Sequence, residues 1–420
     1  MNHSALTLSP DAPKELMSRF VTAVGACLTY HFPFALFSMP GSSEMRLMAM
    51  YPDADNSTTA FPVDDDGLEY IDPETDCFFI GRFGGDEERI AGVRDTLTLD
   101  EILAYKPEPL GMEEIFPDPD SLTADVPPDY SALISPTESS THPLNYSKSF
   151  KVLKERLRTF GGKMVLSRIH AEVIVGSIID QFRKLHSLCG NCFRYLCFTR
   201  STGVWIGATP EVLLHTRADA PGHFYTMALA GTRPADAPGP WDSKNIDEQR
   251  MVVDGIRKDL ESLGLTVSLG PTDELRLPSV KHILTKIEAE GDASPLEVLN
   301  AINPTPATLG WPRDLAESEV DILENHQRYC YAGAVGCCLG GNLNAFVNLR
   351  CAFAKRLTQE SEPRWLYNFY AGGGITIDSV EEDEWEETQL KIDSTRQPFL
   401  NEMPAEYSIP DNIAPVELPF

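Results

Sequence analysis

Positive charge is scarce in this sequence: 35 Lys and Arg stand against 63 Asp and Glu, a net charge of -28 over 420 residues. That balance excludes nonspecific nucleic-acid binding and docking on an anionic membrane. An anionic ligand would be repelled at long range, so a site for one must be built from local cations or a metal. Long apolar runs are missing too. The stretch 20–37 is cut by His31 and Pro33 and is too broken to span a bilayer, and no signal peptide is evident. The nine cysteines are an odd number, and the C-x-x-C of Cys189 and Cys192 has no second pair at zinc-site spacing. Reduced thiols of a cytoplasmic protein are the expectation. Internal repeats, a P-loop, a G-x-G-x-x-G after a strand, a G-x-S-x-G and an H-E-x-x-H are all absent. Nucleotide, serine-hydrolase and zinc-protease chemistries therefore lack their motifs.

What is present is a chain long enough for a large core, legible through period and punctuation. A helix is expected over 13–27 and short strands at 34–39 and 77–83, with Asp64-Asp65-Asp66 a turn. Residues 113–145, rich in Pro, Asp, Ser and Thr, read as a surface connection. In the helix over 146–160, Phe150, Leu153, Leu157 and Phe160 share one face, and Gly161-Gly162 ends it. Lys163 opens a strand over 163–169. A helix over 173–186 leads to a hairpin of strands at 193–199 and 204–207. Glu211 interrupts the apolar run 207–214, a setting that raises a carboxyl pKa; the alternative is an edge-strand glutamate facing water.

Further on, a strand at 225–230 closes at Gly231-Thr232-Arg233-Pro234. The helix over 243–263 carries Lys244 and Glu248 as an i,i+4 pair. A strand starts at His282, and Asn303-Pro304-Thr305-Pro306-Ala307 is a rigid turn. A helix over 315–325 and a strand over 331–338 follow. The strand over 346–353 has Arg350 in its middle, where it needs an anionic partner. Near the C-terminus, Tyr370-Ala371-Gly372-Gly373-Gly374-Ile375 and Glu384 to Lys391 read as strand, glycine turn and helix. Glu384, Glu387 and Lys391 share a helix face. Two carboxylates there suit a hard cation, the lysine suits an anion beside it, and the glycines admit close backbone approach. The bland alternative is a solvated Glu–Lys pair. The tail from 401 is acidic and Pro-rich.

The order of these pieces resembles the chorismate-utilising enzymes: isochorismate synthases, salicylate synthases and the large subunits of anthranilate and aminodeoxychorismate synthases. The stretches that carry it are Lys163–Arg168, Gly207–Leu214, Leu229–Pro234, Lys244–Asp254, Asn303–Ala307, Phe346–Ala352 and Ala371–Lys391. The resemblance implies an α+β fold of two facing, mainly antiparallel β-sheets with helices on the outside. Residues 1–145 would be a variable part of that fold, 146–400 the chorismate-binding catalytic region, and 401–420 a tail.

The resemblance also implies chemistry on chorismate with Mg²⁺. Glu248 and Glu387 would bind the metal, with Glu384 beside them. Lys163 would be the general base for water and Glu211 the general acid. Arg350, Lys391 and the backbone at Gly373 and Gly374 would hold the enolpyruvyl carboxylate. His282 would line the ring pocket, with Ala230, Thr305 and Ala307 as further contacts. Ala230 stands where some aminodeoxychorismate synthases carry a covalent lysine. Arg233-Pro234-Ala235-Asp236 departs from the Arg-Pro-Arg-Gly of ammonia-using members, which pair with a glutaminase. Ala307 matches isochorismate synthases, whereas salicylate synthases tend to carry a hydroxyl there. The expectation is therefore an isochorismate synthase without a glutaminase subunit, feeding menaquinone, with siderophore supply as the other pathway. An anthranilate-type or aminodeoxychorismate synthase component, or a salicylate synthase, is the alternative enzyme. An inactive chorismate-binding homologue is the non-enzyme alternative.

Overall fold

Wholly buried runs such as Phe34–Ser38, Cys77–Gly81, Phe193–Thr199 and Val212–Thr216 form strands here because both of their faces meet other elements. The structure, a computed structural model, describes residues 6–9, 12–52, 60–65, 69–84, 90–94, 96–106, 136–276, 280–357 and 363–400. Among these residues the strands build one sheet of nine and one of eight, antiparallel at every pairing. In spatial order the nine are Leu6–Leu8, Met45–Ala49, Phe34–Ser38, Phe193–Thr199, Gly203–Thr209, Cys351–Leu357, Arg364–Ile375, Lys163–Val175 and Gly310–Trp311. The eight are Thr266–Arg276, Val280–Glu290, His223–Pro234, Val212–Thr216, Asn342–Val347, Ala334–Leu339, Cys77–Gly81 and Ile90–Val93.

The two sheets face each other. Phe37, Tyr195, Trp205 and Tyr370 of the first pack in one cluster with Phe78, Val335 and Phe346 of the second. Helices cover the outer faces. Lys14–Thr29 and Ile178–Leu188 pack on the nine-stranded sheet, and Ser243–Ser262 and Pro295–Ile302 on the eight-stranded one. This is the two-sheet α+β architecture expected above. The part before residue 146 supplies strands to both sheets and so belongs to the same fold. The expected tail at 401–420, Asp66 and the segment 113–135 lie outside the described residues.

Five local expectations need correction. The strand opened by Lys163 runs to Val175, because Val173-Ile174-Val175 pair with Arg364–Leu366 and β-branched residues favour that pleated surface. The helix starts only at Ile178, where the Ser177 side chain accepts from the Ile179 N–H. The strand at 225–230 does not close at Gly231; it continues to Pro234 through a bulge at that glycine, whose φ is +66°. Arg350 is not mid-strand. The chain leaves the eight-stranded sheet at Val347 and enters the nine-stranded one at Cys351, and Arg350 takes a left-handed φ of +50° at the crossing. Gly372, Gly373 and Gly374 do not make a turn. They lie inside Arg364–Ile375, opposite Ser167, Leu166 and Val165. A 266–276 strand, the hairpin partner of Val280–Glu290, was not foreseen: it is mostly solvent-facing, so it lacks an apolar alternation.

Candidate active site

Lys163 is the first residue of its strand, and only 1% of it is exposed. Its ammonium lies 2.9 Å from Glu248 Oε1, which the helix Ser243–Ser262 carries in its second turn. The neighbouring strand passes close by at Gly374. A Cβ there would sit 2.3 Å from Glu248 Oε1 and 2.5 Å from Lys163 Cε. The glycine's use is thus spatial: it makes room for the ion pair. Gln249 ties the same helix to the sheet, donating from Nε2 to the Ala228 carbonyl at 3.0 Å and to Thr285 Oγ1 at 3.1 Å.

One cavity between the sheets is lined by Lys163, Glu211, Glu248, His282, Arg350 and Lys391, together with Ala230, Ala307 and Gly374. Glu211 sits between the strands Gly203–Thr209 and Val212–Thr216 and is buried. Burial pushes its pKa up to about 8, although Lys163, Lys391 and Arg350 pull the other way. The reading as an edge glutamate facing water is excluded. His282 is held neutral, well below its ordinary pKa, first by burial and then by the charges of Arg350 and Lys391. Arg350 approaches its Nε2 at 3.5 Å, and its Nδ1 is 3.3 Å from the Gly231 carbonyl. Arginine can only donate, so the ring is the Nδ1–H tautomer. The bulge at Gly231 turns that carbonyl to the ring, while the Thr232 N–H is fixed by Asn245 Oδ1 at 3.0 Å. Arg350 is anchored by NH1 donating to the Lys391 carbonyl and Ser394 Oγ.

The acidic helix Glu381–Arg396 carries the remaining carboxylates. Lys391 Nζ meets Glu387 Oε1 at 2.7 Å and the Gly372 carbonyl at 2.8 Å. The second contact removes the solvated-pair reading, because it ties this lysine to the cavity wall. Glu384 is 1% exposed and pairs with Lys244, reached from the other helix. Lys244 is therefore not the i,i+4 partner of Glu248. Burial and the charge of Glu387 raise the Glu384 pKa, with Lys244 opposing. Its Oε2 is buried without a hydrogen-bond partner.

Among the described residues, no three His, Cys, Asp or Glu side chains stand ready-formed around one metal position; each of the three glutamates is paired with a lysine. The donor set nevertheless fits a hard cation. It is all carboxylate, with a buried Glu384 oxygen unsatisfied beside the charge of Glu387, but of the three only Glu248 lines the cavity, and Glu384 Oε2 stands by Gly373 on the strand's other side.

Two expected substrate contacts are not in the cavity wall. Thr305 is buried but faces Thr308, which lines the cavity instead. Gly373 points to the other side of its strand, where a Cβ would meet Glu384 Oε2 at 3.0 Å; the lining glycines are Gly372 and Gly374. The period of two along a strand carries this signal once the stretch is read as a strand. Tyr331 and Tyr370, stacked at 5.2 Å, also line the cavity and were not singled out.

A family model described as chorismate binding enzyme matches residues 120–397. The anthranilate synthase component 1 of Aeropyrum pernix is 30% identical over 251 residues, 56% of this chain and 55% of that protein. The salicylate biosynthesis isochorismate synthase of Pseudomonas aeruginosa is 33% identical over 254 residues, 56% of this chain and 50% of that protein. The chain thus spans about half the length of these curated relatives. Among solved structures, MenF, the menaquinone-specific isochorismate synthase from Escherichia coli, matches with a TM-score of 0.62 at 20% identity, over 88% of this chain and 89% of that one. At that identity the match speaks for the shared fold. No helix among the described residues is long and apolar enough to cross a membrane.

Proposed function

Because this chain belongs to the chorismate binding enzyme family, we propose that it is an isochorismate synthase, adding water to chorismate at C2 as the 4-hydroxyl departs. The observation that carries the proposal is the pairing of roles in one cavity: a buried amine at Lys163 and a carboxyl at Glu211 whose pKa is about 8. Lys163 takes a proton from the attacking water, and Glu211, protonated near neutral pH, gives one to the leaving hydroxyl. Protons and water balance. The base must be a neutral amine, and the carboxylate beside it is that of Glu248. Neutralising Glu248 therefore belongs to activation of the site. Arg350 and Lys391 suit the substrate's carboxylates, and neutral His282 accepts from Arg350 and keeps it turned to the cavity.

We further propose Mg²⁺ as the cofactor, held by Glu248 and Glu387 with Glu384. When bound it would supply charge neutralisation for a ring carboxylate. The enzyme would act on free chorismate without a glutaminase subunit. Menaquinone supply is the use we propose for the product, in line with the description of MenF, with siderophore supply the alternative.

Incubating the protein with chorismate, Mg²⁺ and ammonium and separating the products tests the assignment. Isochorismate is expected in the presence or absence of ammonium. Anthranilate without isochorismate would transfer the chain to the amination reading that the Aeropyrum relative represents, and salicylate with pyruvate would transfer it to the lyase reading.

A further inference from the structure

The C-x-x-C of this chain is not its reactive thiol pair. Burial lifts the Cys189 thiol to about 11, even though Cys189 is only half-buried, and Cys192 still higher, so both disfavour thiolate near neutral pH. Two other cysteines, 261 residues apart in sequence (338 minus 77), stand directly opposite each other on adjacent antiparallel strands, Cys77 on Cys77–Gly81 and Cys338 on Ala334–Leu339. Their side chains enter the same apolar cluster, so they lie on one face of the eight-stranded sheet. Opposed residues in such a pair have Cα atoms about 4.5–5.5 Å apart, inside the window that a disulfide spans.

We infer that Cys77 and Cys338 are an oxidisable thiol pair, a modification site at which hydrogen peroxide joins the two strands by a disulfide. Both thiols line a cavity of about 60 Å³ shared with Arg94, Asp72 and Thr75, several times the space one water needs. Those three neighbours are only half-buried, so the cavity reaches the surface. The cysteines themselves are 3% and 2% exposed. A peroxide fits this approach, and a glutathione-sized thiol or disulfide does not. The two sulfurs also differ. Cys77 is drawn below its ordinary pKa, first by a hydrogen bond from the Cys338 thiol and further by Arg94, against burial and Asp76. Cys338 is pushed well above its own. The register of the adjoining strand, with Phe78 opposite Val93, brings Arg94 beside Cys77, so Cys77 is the attacking sulfur and Cys338 the resolving one.

The Cys77 thiolate attacks one oxygen of hydrogen peroxide; the O–O bond breaks, the sulfur is oxidised to a sulfenic acid, and the departing hydroxide takes up the proton that the Cys77 thiol released and leaves as water. The Cys338 thiol then attacks that sulfur, the S–O bond breaks, and a second water leaves with the Cys338 proton. One peroxide is reduced to two waters, and two thiols become one disulfide.

The full chain, reduced and then exposed to hydrogen peroxide, should yield on non-reducing peptide mapping a linked pair containing Cys77 and Cys338, reversed by dithiothreitol. The Cys338→Ser variant should stop at a Cys77 sulfenic acid that dimedone captures. In Cys77→Ser, oxidation of Cys338 should slow at least tenfold. Oxidised glutathione should leave both thiols free in the folded protein. Absence of the linked peptide, first oxidation at Cys189, or equal rates with and without Cys77 would each overturn the assignment. Melting curves of both serine variants establish that they fold before the rates are compared.

Discussion

Gly374 lies so close to Glu248 that any side chain there must displace the carboxylate: a Cβ on the strand would lie 2.3 Å from Oε1 of the helix carboxylate. The Gly374→Ala variant must move that carboxylate by about 1 Å to reach ordinary contact distance, and Lys163 with it. A misplacement of that size costs on the order of 10²-fold in rate. Loss of kcat/KM on that scale, with the far-ultraviolet circular dichroism retained, is expected. Gly373→Ala serves as its control. Its Cβ would meet Glu384 Oε2 at 3.0 Å, which a few tenths of an ångström relieves, so its loss should stay within about tenfold. Equal losses in the two variants would show that the helix–strand spacing as a whole, and not the Lys163–Glu248 pair, governs turnover.

Glu211 makes a prediction that couples rate to stability. As the proposed general acid it must be protonated, so kcat/KM should fall as pH rises through about 8. Glu211→Gln should lower kcat by about 10²–10⁴-fold and lose that basic limb. The stability sign follows from the same shift. Its pKa rises from 4.5 to about 8 on folding, so between these values the folded state holds the proton that the unfolded chain has released. This contribution is full below about pH 4.5 and is lost as pH rises to about 8. The melting temperature of Glu211→Gln should therefore gain on that of the parent across this window. A constant difference would place Glu211 in water and remove it as the acid.

Glu211 was legible because a lone carboxyl in an apolar run has few places to go but the interior. Lys163 was legible as a residue type, but its burial was not, since a strand's first residue is as often at the surface as inside. The pairings of Lys244 with Glu384 and of Lys163 with Glu248 join segments 140 and 85 residues apart (384 minus 244; 248 minus 163), and no local spacing encodes them. The same limit explains Arg350. Its flanks read as one apolar strand because nothing in a run of buried residues marks where the chain changes sheets. The glycine stretch misled in the other direction: three glycines usually signal a turn, yet here they serve close packing inside a long strand.

The Lys163–Glu248 pair is buried, and that bears on how the base should be tested. Lys163→Ala leaves the Glu248 carboxylate without its partner, which in a buried pair costs about 3–5 kcal/mol. Inactivity of that variant alone would not separate chemistry from folding. In Lys163→Met with Glu248→Gln no uncompensated charge remains, and stability should return towards that of the parent while turnover stays undetectable. Thermal melting and product assays on the two single variants and the double variant check this. Turnover in the double variant would show that another group removes the proton from water.

The metal proposal can be tested without turnover, by calorimetric titration of Mg²⁺ into the protein in the absence of chorismate. Each carboxylate is held by a lysine in this conformation, so metal and lysine compete for the same oxygens. Glu387→Gln removes a ligand and should weaken Mg²⁺ at least tenfold. Lys244→Met removes a competitor from Glu384, whose Oε2 is already unsatisfied, and should tighten it. Both variants keep Lys163 and Glu211, so the binding change is read apart from the acid and base. Unaltered Mg²⁺ affinity in Glu387→Gln would take this helix out of the metal site, and weaker binding in Lys244→Met would make the lysine a support that orients Glu384, not a rival for it.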